Sequence, residues 1–148
     1  MKFYLLRVKI LALIIKIFGF LLAVELPPIP SVAAIIVKDG KLLVVKLSYR
    51  GGFSLPGGVV QTKETIEDAL RREVKEETGL EVVEAQYFGS FIAGKEFPGI
   101  NLAFVVSVKG SLKSSKEGIA LWKDPQTILD KLVYKDNLTA VKKYFDFG

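Results

Sequence analysis

The apolar and polar positions of this 148-residue chain change rhythm several times. Residues 1–26 are apolar almost all round and hold no proline, which predicts a helix. Lys2, Lys9 and Lys16 recur every seven residues and so share one narrow stripe of it. Pro27, Pro28 and Pro30 end that helix and form a stiff spacer over 27–30. Two β-rich runs follow, 31–38 and 41–47. Asp39-Gly40 between them is a hairpin turn signal. Over residues 65–78 the period becomes helical: Ile66, Leu70 and Val74 stand four apart with Ala69 beside them. Thr65 with Asp68 predicts a capping box, and Gly79 is placed to stop the helix in a left-handed conformation. Further on, 81–88 and 102–109 read as strands around a loop at 94–99, and 118–122 reads as another strand. Residues 125–132 and 137–145 read as helices, with Ala140, Val141 and Tyr144 at core spacing. This alternation predicts an α/β layered domain over 31–148.

The helix at 65–78 carries an unusual set of charges. Glu73, Glu76 and Glu77 fall within one turn, where residues three and four apart are neighbours. They occupy the C-terminal half, where the helix dipole disfavours anions. Clustered carboxylates also resist ionising together. One reading is a solvated acidic face. The other is a site for a divalent cation, which would remove the repulsion. Hard cations such as Mg²⁺ take oxygen ligands and bridge to substrate phosphates.

Composition narrows the chemistry further. The chain has no cysteine and no histidine. That excludes disulfides, thiolate or imidazole metal ligands, and Ser-His-Asp or Cys-His catalysis. Acid–base work falls to carboxylates, lysines, tyrosines or metal-bound water. The net charge is +5. Lys2, Arg7, Lys9 and Lys16 against Glu25 put three of those five charges in the first thirty residues. No basic stripe marks the acidic region, which argues against nucleic acid as a partner.

The run from Gly58 through Glu64 to Arg72-Glu73-Val74-Lys75-Glu76-Glu77-Thr78-Gly79-Leu80 resembles the signature box of the Nudix hydrolases, with every fixed position filled. The resemblance implies an α/β/α sandwich with a mixed β-sheet. It implies hydrolysis of a phosphoanhydride in a nucleoside diphosphate derivative, with water as nucleophile and Mg²⁺ or Mn²⁺ as cofactor. A nucleoside triphosphate or an ADP-ribose-like compound is the substrate class it suggests. Glu73, Glu76 and Glu77 are then the metal ligands, joined by backbone carbonyls of Gly57 or Gly58. Arg72 and Glu64 match the family's internal salt bridge, a support for the box. The general base is Glu73 or Glu117, the latter on a loop after the box that aligns loosely. Arg50 and Phe53 are candidate substrate contacts, although a loop cation and a packed aromatic explain them equally well. Tyr87, Phe88 and Phe91 could line a base pocket, with core packing the simpler role. Two positions depart from common members: Gln61 replaces a frequent glutamate, and Lys63 a frequent glycine.

Residues 1–26 leave three uses open: a membrane-surface anchor, a spanning anchor, or a helix packed on the domain or on a second subunit. The uncharged stretch 17–24 is shorter than the roughly 20 residues a span needs, and a basic stripe on an apolar helix suits anionic headgroups. Nucleotide substrates place the domain in the cytoplasm, and membrane association through this segment stays open. The family often dimerises, so a homodimer also stays open. The rival to catalysis is a Nudix-fold domain that senses a nucleotide without turning it over, or one recruited to a membrane for regulation.

Overall fold

The computed structural model describes residues 10, 12–17, 27–49, 51–93, 99–113, 115 and 118–148. Arg50, Glu117, the loop at 94–98 and most of the first 26 residues lie outside the described residues. Residues 12–17 are helical, and Ile10, Leu13, Ile14 and Ile17 are exposed. No helix among the described residues is long and apolar enough to cross a membrane.

The strands are β1 (Ile29–Ile35), β2 (Val37–Lys38), β3 (Lys41–Leu47), β4 (Phe53–Ser54), β5 (Gly57–Val59), β6 (Glu81–Ala93), β7 (Gly99–Lys109) and β8 (Gly118–Lys123). Helix α1 spans Ile66–Thr78, a 3-10 helix spans Pro125–Lys131, and α2 spans Lys135–Phe145. Among the described residues, four strands form a mixed sheet in the order β5-β1-β7-β6. In it β1 runs parallel to β7 and antiparallel to β5. A second, antiparallel sheet joins β2, β3, β4 and β8, with β3 between β4 and β8.

One continuous apolar run feeds both sheets. The pattern predicts a single strand over 31–38, but the run breaks at Ile36, where the chain leaves β1 for β2. The Ile36 carbonyl there accepts from the Leu43 N–H at 2.9 Å. Asp39 and Gly40 make the predicted hairpin, both with positive φ (50° and 71°), as a tight two-residue turn requires. Strand β1 also starts earlier than the pattern suggests. Ile29 and Pro30 pair with Gly99 and Ile100, so part of the proline stretch joins the sheet. Pro30 still uses its carbonyl, which accepts from the Val60 N–H at 3.0 Å.

Alternate residues of β1 point into two separate cores. Val32 and Ala34, with Ile36 just past the strand's end, pack with Ala69, Leu70 and Val74 of α1 and with Phe104 and Val106. Ala33 and Ile35 pack with Ala140 and Val141 of α2 and with Leu55 and Ile128. The two helices therefore cover opposite faces of the mixed sheet. That is the layered α/β/α arrangement, and it follows from the period-two geometry of a strand buried on both sides. Leu70 is completely buried; truncating such a leucine to alanine costs about 2–5 kcal/mol.

Helix α1 has the expected ends. The Thr65 hydroxyl accepts from the Asp68 N–H at 3.1 Å, and the Asp68 carboxylate reaches back to the Thr65 N–H. Gly79 closes the helix at φ 77°, its N–H on the Lys75 carbonyl at 2.9 Å. Strand β6 runs to Ala93, well past the predicted end at residue 88. The segment after Pro125 is a 3-10 helix, and α2 begins two residues before its predicted start.

Candidate active site

The turn from β4 into the start of β5 (the glycine loop, Ser54–Gly58) and the C-terminal half of α1 face each other, and the sequence explains why the gap is narrow. A side chain at Gly57 would put its Cβ 2.0 Å from the Val32 carbonyl oxygen, so only glycine fits against β1 there. At Gly58 the obstacle is different: a Cβ would lie 2.4 Å from Glu73 Oε1. The backbone of the glycine pair thus lies directly against the acidic helix. Gly57 donates its N–H to Glu77 Oε2 at 2.8 Å. Glu73 and Glu77 are both buried, at 9% and 5% exposure, although each is acidic. Buried carboxylates persist only where partners hold them.

Arg72 supplies part of that hold. Its Nε meets Glu64 Oε1 at 2.7 Å and its Nη2 meets Glu64 Oε2 at 3.0 Å, a two-pronged contact. The same Nη2 donates to the Val59 carbonyl at 3.1 Å. Nη1 reaches Glu73 Oε1 at 2.6 Å and Glu76 Oε2 at 3.4 Å. Glu64 also accepts from the Gln61 N–H at 2.9 Å. The Arg72 bond, followed by that backbone bond, holds the Glu64 carboxyl below its ordinary value. Hydrogen bonding to Glu64 is likewise the largest cause that raises the Arg72 guanidinium further above its already high value.

The structure therefore brings together Gly57, Gly58, Glu64, Arg72, Glu73, Glu76 and Glu77. Among the described residues no three acidic side chains converge on one point. Arg72 draws Glu73 and Glu76 to itself, while Glu77 turns to the Gly57 amide. Their donor set is all hard oxygen, with no sulfur or imidazole, which fits Mg²⁺ or Mn²⁺. The glycine pair fits as well, because it lets the backbone reach the carboxylates.

Other expectations fare differently. Phe53 is half-buried against the core on the α2 side, with Lys123 Nζ 6.0 Å above its ring. Phe88 and Phe91 pack against that same core, and Lys143 Nζ stands 5.4 Å and 5.8 Å from their ring centres. Tyr87 is exposed and meets Phe104 edge-on at 5.8 Å.

Sequence reasoning missed a buried polar group behind the glycine loop. Asn137 Oδ1 accepts the Leu55 N–H at 2.9 Å. Next to it, Asp136 accepts from Asn101 Nδ2, and both side chains are buried. Among the described residues, Asn101 Oδ1 has no hydrogen-bond partner. The available signal was an asparagine inside the otherwise apolar run 99–106.

A NUDIX domain model matches residues 27–142. The chain belongs to the NUDIX family. Among curated Nudix relatives, it is 38% identical over 91 residues to an ADP-ribose pyrophosphatase from Methanocaldococcus jannaschii, covering 57% of this chain and 54% of that protein. It is 45% identical over 58 residues to a putative 8-oxo-dGTP diphosphatase from Bacillus subtilis, covering 38% of this chain and 36% of that protein. The chain thus spans about half or less of the length of these relatives. Among solved Nudix structures, the MutT protein from Methanosarcina mazei superposes with a TM-score of 0.67 at 28% identity, covering 82% of this chain and 96% of that one. A Nudix hydrolase from Nitrosomonas europaea superposes with a TM-score of 0.73 at 20% identity, covering 82% and 72%, which supports the shared fold.

Proposed function

We propose that this Nudix domain hydrolyses a phosphoanhydride bond in a nucleoside diphosphate derivative, using a divalent metal ion and water. The observation that carries the reading is the close approach of the Gly57-Gly58 backbone to Glu73 and Glu77. A side chain at Gly57 would strike the backbone of β1 and one at Gly58 would displace the Glu73 carboxylate, and two buried acids on a helix are otherwise unfavourable.

Glu73, Glu76 and Glu77, with a carbonyl of Gly57 or Gly58, would hold Mg²⁺ or Mn²⁺. When bound, such an ion neutralises phosphate oxygens and lowers the pKa of a water molecule. The residues of the chain do the rest. Arg72 and Glu64 fix the loop against α1, so that the glycines and glutamates keep their spacing. A carboxylate accepts the proton of the attacking water; Glu73 is the described candidate and Glu117 the other. A nucleoside triphosphate or an ADP-ribose-like compound remains the proposed substrate class. The names of the archaeal and bacterial relatives support that range.

The test is a screen of nucleotide derivatives with Mg²⁺ and Mn²⁺, with products read by mass. Running it in ¹⁸O-labelled water reports which phosphorus is attacked. Turnover that Glu77→Gln abolishes supports the reading. Nucleotide binding with no turnover under either metal would leave a sensing domain instead.

A second reading concerns the first 26 residues. Ile10, Leu13, Ile14 and Ile17 are exposed around a helical segment that also carries Lys16. These features favour recruitment to an anionic membrane surface. Co-sedimentation with vesicles of mixed anionic and neutral lipid, lost on deletion of residues 1–26, tests it.

A further inference from the structure

We propose that Asn137, on α2, is a positioning residue for the glycine loop, acting on the metal-binding residues from the opposite side of the mixed sheet. The proposal rests on the metal-site reading above. Its physical basis is how the loop is tied down. Three successive residues each bond to a different element. The Leu55 N–H goes to Asn137 Oδ1 of α2 at 2.9 Å. The Pro56 carbonyl accepts from the Ala34 N–H of β1 at 2.8 Å. The Gly57 N–H goes to Glu77 of α1 at 2.8 Å.

Pro56 has no N–H, so Leu55 offers the last backbone donor before Gly57 itself. Asn137 therefore holds the last backbone donor ahead of the glycine pair. Both ends of this bond are buried, Leu55 at 3% and Asn137 at 5% exposure. If the acceptor is removed, a buried N–H is left unsatisfied, and the loop must shift to reach water. A shift at Leu55 passes directly to Gly57 and Gly58, whose backbones contact Glu77 and Glu73. Asn137 is itself well placed to act as an anchor. The neighbouring Asp136 bonds to Asn101 of β7, and β7 pairs with β1 in an unbroken parallel register from Ile29 to Ile35. Groups that orient metal ligands at one remove typically change metal affinity by about 10–100-fold when removed. Asn137 acts one bond further out, so a roughly 3–10-fold weakening is expected.

The experiment measures Mn²⁺ uptake by the full chain through the resonance signal of free Mn²⁺, alongside thermal unfolding. Three variants are compared with wild type. Asn137→Ala removes the acceptor. Asn137→Asp keeps an acceptor oxygen, near a helix N-terminus where a carboxylate is favoured. Val141→Ala loosens the same helix in the core that it shares with Leu55 but removes no hydrogen bond to the loop. The proposal expects Asn137→Ala to weaken Mn²⁺ binding roughly 3–10-fold, Asn137→Asp to stay within about twofold of wild type, and Val141→Ala to leave affinity unchanged. If Asn137→Ala does not fold, Asn137→Ser, whose hydroxyl is too short to span the bond, takes its place. Wild-type affinity in Asn137→Ala, or an equal loss in Val141→Ala, overturns the positioning role while the metal site stands. Wild-type protein that takes up no Mn²⁺ overturns the metal site, and the positioning role with it.

Discussion

Arg72 grips Glu64 with two prongs, Nε to Oε1 at 2.7 Å and Nη2 to Oε2 at 3.0 Å, and with the remaining nitrogen reaches Glu73 and Glu76. One side chain thus joins the loop before α1 to the acidic face of α1. A lysine has a single ammonium and cannot reproduce a planar fork. Arg72→Lys should keep the fold and lower kcat/KM by roughly 10–100-fold, the range seen when groups supporting metal ligands are lost. Steady-state kinetics beside a circular dichroism melt checks this. A loss of helix signal at 25 °C would point to a folding role instead.

The same contact sets an acid limit. The Glu64 carboxyl is held below its ordinary value of 4.5, chiefly by Arg72. A group whose pKa is depressed on folding contributes stability above its unfolded pKa and loses it as pH falls through the folded value. The contribution of Glu64 is therefore in place at neutral pH and disappears below about pH 4.5. Glu64 is part-buried beside an Arg72 that water still reaches, so the effect is modest and sensitive to salt. Melting temperatures of wild type and Glu64→Gln should converge as pH drops from 6 to 3. Curves that stay parallel across that range would contradict the assignment.

Gly57 and Gly58 should fail in different ways when replaced by alanine. At position 57 the new Cβ meets the backbone of β1, with the Val32 oxygen at 2.0 Å and the Ala33 Cα at 2.9 Å. Backbone cannot swing aside, so Gly57→Ala should break the β1–β5 pairing and destabilise the domain by about 2 kcal/mol or more, an overpacking cost. At position 58 the obstacle is the Glu73 carboxylate, which can rotate. Gly58→Ala should melt close to wild type yet weaken Mn²⁺ binding and turnover at least tenfold. Calorimetry paired with Mn²⁺ titration separates the two, and equal melting temperatures for both variants would refute the distinction.

These local features were largely legible beforehand. The caps of α1, the Asp39-Gly40 turn and the placing of Glu73, Glu76 and Glu77 on one turn of α1 all depend on residues within a few positions of one another, where spacing dictates geometry. The Arg72–Glu64 contact also came from the box. The break at Ile36 was not legible, because Val32 through Val37 is uniformly apolar and nothing local says that the strand changes sheets. Asn137 was invisible for a related reason. Its partner Leu55 is 82 residues away, and an asparagine near a helix start reads as an ordinary terminal residue. Long-range pairing decides both, and pattern alone does not carry it.

Lys63 gives the last prediction. It stands in a turn in which the Glu64 N–H donates to the Gln61 carbonyl at 3.2 Å, and its φ is 68°. A residue with a Cβ pays a steric cost of about 1 kcal/mol or more in this region, and glycine avoids it. The common family glycine at this position therefore has a conformational cause. Lys63→Gly should relieve the strain, offset in part by the greater freedom glycine gives the unfolded chain. The expected balance is a gain of about 0.5–1 kcal/mol, or roughly 2–5 °C in melting temperature. Lys63→Ala keeps the Cβ and loses only the charged stem, so it should gain nothing. If alanine stabilised as much as glycine, the cause would be the lysine's charge and not its backbone, and the turn would have to be explained by electrostatics around Glu64.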